Sequence, residues 1–129
     1  PLALNEMSRV LKNNGFLIIT CPDLQSVCAE VANGRLVETL YNSGMGPISA
    51  IDILYGFRPS LQKGNHYMAH KIGFTKDVLQ ATLINSGFKS AVVASIASRY
   101  VLWAIATKDK VEDTNLLFDT LKKHTTLLS

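Results

Sequence analysis

The 129-residue sequence has little cysteine, little charge and no long uncharged apolar run. Cys21 and Cys28 lie seven positions apart without a further cysteine or a nearby histidine, which excludes a zinc site and a disulfide framework. We therefore expect reduced, buried thiols and a cytoplasmic location. The most apolar late stretch, residues 91–107, is interrupted by serines and by Arg99, so the sequence predicts no membrane-spanning segment.

Charged residues are also scattered along the chain. They make up 18% of it and leave a net charge of +3, with Lys122 and Lys123 as the one adjacent basic pair. This excludes the basic stripe of a nucleic-acid-binding surface, so no nucleic-acid partner is expected. A hydrophobic fraction of 47% predicts one globular domain over residues 1–129. Pro1 opens the chain without an initiator methionine and helical periodicity follows at once, so we expect it to derive from a longer protein.

The first elements predicted are a helix and a buried strand. Four apolar residues near the start recur at helical spacing: Leu4, Met7, Val10 and Leu11. They predict a helix that ends near Lys12 and turns its apolar face toward a core. The unbroken apolar run at residues 16–21 predicts a strand covered on both faces, which is typical of a parallel sheet enclosed by helices.

Later elements have clear start and stop signals. Asp23 can cap a helix from Leu24 to about Ala32, and a further helix is predicted from about Lys76 to Ser86. Residues 91–96 and 100–107 are β-rich runs separated by a short polar break, which predicts an antiparallel hairpin and therefore a mixed sheet. A C-terminal helix follows, with three leucines on one side: Leu116, Leu117 and Leu121.

Residues 35–73 lack such a pattern, because glycines and prolines interrupt them throughout. Only short helical turns are predicted there, about Ile48 to Tyr55. An aromatic-rich segment of this length is typical of a functional insertion, so we interpret it as a lid or substrate-binding segment. The one Gly-x-Gly sequence, within residues 43–47, follows no predicted strand and contains Pro47, so it predicts a turn and no phosphate cradle.

The segment Leu4-Asn5-Glu6-Met7-Ser8-Arg9-Val10-Leu11-Lys12-Asn13-Asn14-Gly15-Phe16-Leu17-Ile18-Ile19 resembles the E-x-x-R-V-L-K-x-G-G-x-L segment of class I S-adenosylmethionine-dependent methyltransferases of the type 11-like group. The later Gly73-Phe74-Thr75 and Gly87-Phe88, which flank the predicted helix, are also similar to that family. The resemblance covers about residues 1–108. It implies the C-terminal half of a Rossmann-like α/β fold, with a mixed sheet that ends in an antiparallel hairpin, an irregular insertion and a C-terminal helix.

The resemblance also implies a cofactor and a reaction. The family transfers a methyl group from S-adenosylmethionine to an acceptor, here expected to be a small molecule. Its glycine-rich cofactor loop has no counterpart in this sequence and would precede Pro1, so the chain alone is expected to be inactive and to bind the cofactor weakly. In the family the fifth strand lies between the fourth and the seventh. Residues 16–21 would then form an open edge, which predicts a homo-oligomer through this edge or through a face that the missing helices would have covered.

By location, the resemblance places the acceptor pocket in the loop after the fifth strand, at Pro22 and Asp23, and in the insertion. The substrate-binding residues expected in the insertion are Tyr41, Tyr55, Arg58, Asn65, Tyr67 and Lys71. Arg58 and Lys71 suit an anionic acceptor, although most loop charges are only solvated. His70 suits a general base, against the alternative of a packed or surface histidine. Asp23 suits a helix cap better than an acid or base.

The sequence also bears on a metal site, a hydrolase site and a non-catalytic function. His66 and His70 are four residues apart, but no glutamate follows His66, so no metal site is expected. A hydrolase built on Cys21, His70 and Asp52 is disfavoured, because the following Pro22 has no amide hydrogen to donate to an oxyanion. A non-catalytic binding or dimerisation module derived from the methyltransferase fold remains an alternative.

Overall fold

A computed structural model of the protein describes residues 2–125 and shows a mixed α/β fold. Its helices are α1 Leu2–Val10, α2 Leu24–Ala32, α3 Ala50–Tyr55, α4 Arg58–Gln62, α5 Lys76–Asn85 and α6 Thr114–His124. Its strands are β1 Phe16–Pro22, β2 Thr39–Ser43, β3 Gly46–Ser49, β4 Ser90–Ile96 and β5 Val101–Thr107. Short 3₁₀ turns lie at His66–Met68 and Ala97–Arg99. None of the helices formed by residues 2–125 combines the length and apolar content that a membrane crossing requires.

The main sheet has three strands in the order β1, β5, β4, and the β2–β3 hairpin forms a separate two-stranded sheet. The hairpin expected at the end of the sheet is confirmed, because the 3₁₀ turn at Ala97–Arg99 returns the chain from β4 into β5. The prediction of a mixed sheet is wrong for the described strands, which are antiparallel. The reason is that β5 lies between β4 and β1 and runs against both. The isolated bridge between Asp23 and Phe74 is parallel.

The chain forms two compact units. The sheet unit comprises the described parts of Pro1–Cys21, Lys76–Ser95 and Leu102–Ser129. One cluster of its core joins β4 and β5 to helix α6: Ala94, Ile105, Leu117 and Leu121 are buried, with Ile18 and Trp103 packed against them. The insertion unit comprises Pro22–Thr75 and Ile96–Val101. Its smaller core consists of Val27, Ala50 and Ile53.

Helix α5 ends as its sequence predicts. Gly87 has a φ of 99°, a left-handed value that glycine adopts without steric cost. Its amide donates to the Ile84 carbonyl at 3.1 Å, and the Phe88 amide reaches the Leu83 carbonyl at 3.4 Å. Phe88 then enters the core of the sheet unit with 1% of its surface exposed. Gly87 therefore ends the helix, and the ring of Phe88 directly after it is buried in the interior.

The apolar faces of α1 and β1 are the main disagreement with the sequence prediction within the sheet unit. Met7 and Val10 are exposed, Val10 to 63%, and Ser8 is the buried residue of α1. None of the seven residues of β1, all of them described, is buried, and Phe16 is 40% exposed. The expectation that both faces of β1 are covered is wrong, because the described helices cover the faces of this edge strand only in part. In α6, where three leucines were expected on one side, Leu117 and Leu121 are buried in the core but Leu116 is exposed.

The insertion unit is more regular than its sequence predicts. Instead of isolated helical turns it contains the β2–β3 hairpin, in which Tyr41 pairs with Ile48 and Ser43 with Gly46, and the helices α3 and α4. The turn expected at residues 43–47 is confirmed, because the Ser43 hydroxyl closes it by accepting from the Met45 amide at 3.1 Å. Paired backbone groups in two short strands compensate for the weak local propensity of the segment.

Helix α2 confirms the prediction about Asp23. The Asp23 carboxylate accepts from the Gln25 amide at 3.1 Å and from the Ser26 hydroxyl at 2.7 Å, as a helix N-cap does. The predicted burial of the thiols is wrong for Cys28, which lies on the exposed side of α2, while Cys21 in β1 is half-buried. Cys28 is exposed because only one face of this helix, at Val27, enters the core.

Candidate functional site

The residues expected to form the acceptor pocket all lie in the insertion unit, but on different elements. They are Tyr41 in β2, Tyr55 at the end of α3, Arg58 at the start of α4, Asn65 before the 3₁₀ turn, Tyr67 within it, and His70 and Lys71 after it. The structure joins Arg58 to a buried carboxylate and ties His70 to α3. Tyr67 is fully exposed, and within residues 2–125 no hydrogen bond or ring contact joins Tyr67 or Lys71 to Arg58.

The centre of the site is a polar cluster in which the buried Ser49 and Asp52 bond to the partly exposed Arg58. Arg58 donates from Nε to Asp52 Oδ1 at 2.8 Å and from Nη2 to Asp52 Oδ2 at 3.1 Å. The Ser49 hydroxyl donates to Asp52 Oδ2 at 2.6 Å and accepts from Arg58 Nη2 at 2.9 Å. The backbone amides of Ser49 and Arg58 donate to the same carboxylate, each at 3.1 Å. Asp52 therefore accepts five bonds and holds the start of α3 and the start of α4 together.

This bonding determines the charge of the cluster. Asp52 is 5% exposed, yet the side-chain hydrogen bonds from Arg58 hold its pKa far below the usual range, and the bonds from Ser49 lower it further against the effect of burial. The same pairing raises the pKa of Arg58, whose side chain is 45% exposed. The cluster is consequently a neutral ion pair, with its carboxylate inside and part of its guanidinium at the surface.

A cavity lies beside the guanidinium. Its volume is about 240 Å³, and it is lined by Pro47, Asp52, Arg58, Pro59 and Gln62. Two proline rings supply apolar walls, while Arg58 and Gln62 supply polar groups. This mixture of apolar walls and a few polar groups is typical of a small-molecule site.

His70 is held by the C-terminal half of α3. Its amide donates to the Tyr55 carbonyl at 3.1 Å, and its Nδ1 lies 2.6 Å from the Ile53 carbonyl oxygen. Because a carbonyl oxygen only accepts, Nδ1 carries the hydrogen and Nε2 of the neutral ring has the lone pair. His70 as a residue is exposed. An imidazole fixed in this tautomer can accept a proton from a bound ligand.

Gly56 makes the approach of the His70 segment to α3 possible. It has a φ of 108°, and a Cβ atom added to it would lie 2.0 Å from the Met68 carbonyl oxygen. Its amide also donates to the Asp52 carbonyl at 2.9 Å. A side chain at this position is excluded by both the backbone conformation and the contact, so the loop before His70 depends on glycine here.

A second network links Tyr41 to the return segment from β4. Tyr41 stacks on Tyr100 with ring centroids 6.3 Å apart, and Tyr100 has a φ of 56°, the one positive value among the non-glycine residues described. Tyr100 Oη donates to Glu30 Oε1 at 2.8 Å, and Arg35 Nε donates to Glu30 Oε2 at 2.7 Å. The Tyr100 bond, followed by the Arg35 bond, lowers the pKa of Glu30. Tyr41 thus stacks on the ring of Tyr100, whose hydroxyl is held in place by its hydrogen bond to Glu30.

Sequence reasoning did not assign Ser49 or Asp52 to the acceptor site. The local signal was present, because a serine three residues before an acidic residue is the pattern of a capping box, and the Asp52 carboxylate does accept from the Ser49 amide. The Tyr100 to Glu30 contact joins residues seventy positions apart and had no local signal.

The structure also bears on the hydrolase and metal alternatives. A catalytic triad needs Asp52 to orient His70, but Asp52 is bonded to Arg58 and Ser49, and His70 Nδ1 is bonded to Ile53. Within residues 2–125, no group of three or more histidine, cysteine, aspartate or glutamate side chains is arranged to hold a metal ion.

The Gly-x-Gly sequence does not form a loop of the kind that holds a dinucleotide-type cofactor. The one Gly-x-Gly sequence, Gly44 to Gly46, forms the exposed turn between two antiparallel strands, whereas a dinucleotide-type loop connects a strand to a helix. A Cβ atom at either glycine would meet nothing within 4 Å, so no closely approached cradle exists there. Comparisons of the chain with protein-family models, with curated proteins and with solved structures find no match.

Proposed function

We propose that this chain forms the acceptor-binding part of a class I S-adenosylmethionine-dependent methyltransferase that acts on a small molecule. The observation that carries the proposal is the strand order β1, β5, β4. Strands consecutive in the chain usually lie side by side, yet the last strand is inserted between β1 and β4. This is the neighbour relation that the resemblance implies, in which the fifth strand lies beside the seventh.

The position of the insertion unit supports the same proposal. Most of it follows β1 directly, through Pro22 and the cap residue Asp23, where the resemblance places the acceptor pocket. The unit contains a cavity with apolar walls and a polar group at Arg58, and an exposed His70 whose Nδ1 is bonded to a carbonyl. In the proposed reaction these residues bind and orient the acceptor, and His70 takes up a proton from an acceptor hydroxyl, amine or thiol.

Direct measurement of cofactor binding tests the proposal. The complete protein that carries residues 1–129 should bind S-adenosylmethionine one to one in isothermal titration, whereas the 129-residue chain alone should give no saturable heat. His70→Gln in the complete protein should lower kcat with little change in cofactor affinity, and should move the acidic limb of the pH–rate profile. His66→Gln, on the neighbouring exposed histidine, is the matched control and should leave both unchanged. Failure of the complete protein to bind the cofactor would refute the proposal.

The exposed apolar residues of α1 and the edge position of β1 favour a second function, a non-catalytic binding or dimerisation module. Such a module requires neither the cofactor nor an accessible His70. The two functions separate in the same titration, because a complete protein that is a stable dimer without cofactor affinity fits only the module.

A further inference from the structure

The cavity beside Arg58 is small for a complete ligand. Its volume of about 240 Å³ lies below the range of roughly 300–1,000 Å³ found for ligand pockets. It is therefore suited to one functional group of a larger molecule. The rings of Pro47 and Pro59 line the cavity with apolar surface, and Gln62 at the end of α4 contributes an amide that can donate and accept hydrogen bonds.

The charge available in this cavity differs from what an isolated arginine would offer. Both Nε and Nη2 of Arg58 are committed to Asp52 and Ser49 at 2.8 to 3.1 Å. Across residues 2–125 no bond involves its Nη1, which leaves the hydrogens of that nitrogen for a ligand. A second carboxylate placed there would lie on the far side of the guanidinium from Asp52, and the two anions would share one cation.

Asp52 cannot release Arg58 at neutral pH. Its carboxylate is buried and receives further bonds from Ser49 and from backbone amides, so it stays ionised and stays in place. A carboxylate would lose its hydration on entering the cavity and would meet no unpaired positive charge, because Asp52 already neutralises Arg58. A neutral carbonyl oxygen needs only the hydrogen-bond donors that remain on Arg58 and Gln62.

We propose that this cavity binds an uncharged carbonyl-bearing group, such as a carboxamide or a ketone, through Arg58 Nη1 and the Gln62 amide, and that it discriminates against carboxylates. We assign this carbonyl-bearing group to the methyl acceptor, and that assignment rests on the proposed function. The binding preference itself does not, because it can be measured without cofactor or turnover.

The test uses benzamide and benzoate, which have the same ring and differ in charge. Each is titrated into the ¹⁵N-labelled 129-residue chain while the side-chain signals of Arg58 Nε and Gln62 are followed by NMR. Benzamide should shift both signals saturably, and benzoate should bind at least about tenfold more weakly. Equal or tighter binding of benzoate, or shifts that leave these two signals unmoved, would overturn the proposal.

Two variants sharpen the result. Gln62→Ala should weaken benzamide binding about threefold to tenfold, as expected for one lost hydrogen bond, whereas Gln25→Ala on α2 should not. Asp52→Asn leaves a neutral amide beside Arg58 and should shift the preference toward benzoate. If Asp52→Asn does not fold, the comparison of the two ligands on the unmodified chain still decides the matter. Benzamide binding by the chain, together with failure of the complete protein to bind S-adenosylmethionine, would refute the proposed function alone.

Discussion

The two units of this protein are stabilised by different kinds of buried group. Six of the seven largest fully buried side chains among the described residues lie in the sheet unit, and the seventh, Val27, lies in the insertion unit. Both buried carboxylates, Asp23 and Asp52, lie in the insertion unit. Apolar burial is non-directional and tolerates many sequences, whereas a buried carboxylate needs each of its hydrogen bonds. The insertion unit is accordingly the part whose geometry is specified by polar contacts.

The largest expected effect is in the core of the sheet unit. Phe88→Ala should lower the free energy of unfolding by about 3–5 kcal/mol, because it removes a ring that is almost completely buried and leaves a cavity. Chemical denaturation measures the loss. Phe16→Ala, on an aromatic residue that is much more exposed, is the matched control and should cost no more than about 1 kcal/mol. Equal losses would mean that burial does not distinguish these two positions.

The corresponding change in the insertion unit is Asp52→Ala. It leaves Arg58 and Ser49 without their acceptor and should cost about 2–3 kcal/mol. The value lies below that of a fully buried pair because the Arg58 side chain is partly exposed. Hydrogen exchange should show the loss at amides of residues 49–58, including the two that bond Asp52. Glu38→Ala, at an exposed carboxylate of the same unit, should have little effect, and a similar loss in both variants would exclude a special role for Asp52.

Acidification should lower the stability of the insertion unit more than that of the sheet unit, without any mutation. Because the folded pKa of Asp52 is depressed, its contribution to stability is complete above the unfolded value of about 3.9 and is lost as the pH falls toward the folded pKa. The insertion unit should therefore lose stability below about pH 4, and Asp52→Asn should remove part of that dependence. The measurement is denaturant unfolding at several pH values between about 2 and 7. An unchanged acid dependence in Asp52→Asn would assign it to other carboxylates.

Gly56→Ala should distort the segment that holds His70. The added methyl group meets the Met68 carbonyl and the residue also has a positive φ, so we expect a cost of about 2–3 kcal/mol. Gly64→Ala provides the control, because Gly64 has a φ of 84° but nothing within 4 Å of its Cβ position, and should cost only about 1 kcal/mol. The difference between the two variants measures the contact together with the more extended backbone of Gly56, whose ψ is 154°. A change in the His70 ring signals should accompany Gly56→Ala only.

The sequence predicted those elements that local signals specify and missed those that depend on contacts distant in the chain. Helix α2 and the end of α5 were predicted because Asp23 and Gly87 are local signals, readable within a few residues. The β2–β3 hairpin was missed because its pairing depends on contacts across the turn more than on the propensity of either short strand. Among the site residues, Arg58 and His70 were proposed by location, but their partners Asp52 and Ile53 could be assigned only from the fold.

The smallest effect on stability, and the most direct test of the β1 edge, is self-association of the 129-residue chain. Residues 16–21 of the strand carry no charge to protect the edge, and in the described sheet the strand is bonded to β5 on one side. We therefore expect sedimentation at micromolar concentration to show dimers or larger species.

The substitution that tests this edge must spare the core. Ile18 packs against the core of the sheet unit, whereas Ile19 projects from the opposite face of the strand. Ile19→Lys should therefore shift the chain toward monomer with a change in folding stability of no more than about 1 kcal/mol, since a lysine on an edge strand opposes pairing with another chain. Val37→Lys changes an equally apolar but more exposed residue of the insertion unit and should leave association unchanged. A monomeric parent chain, or association that persists in Ile19→Lys, would mean that β1 is not the surface through which copies of this chain pair.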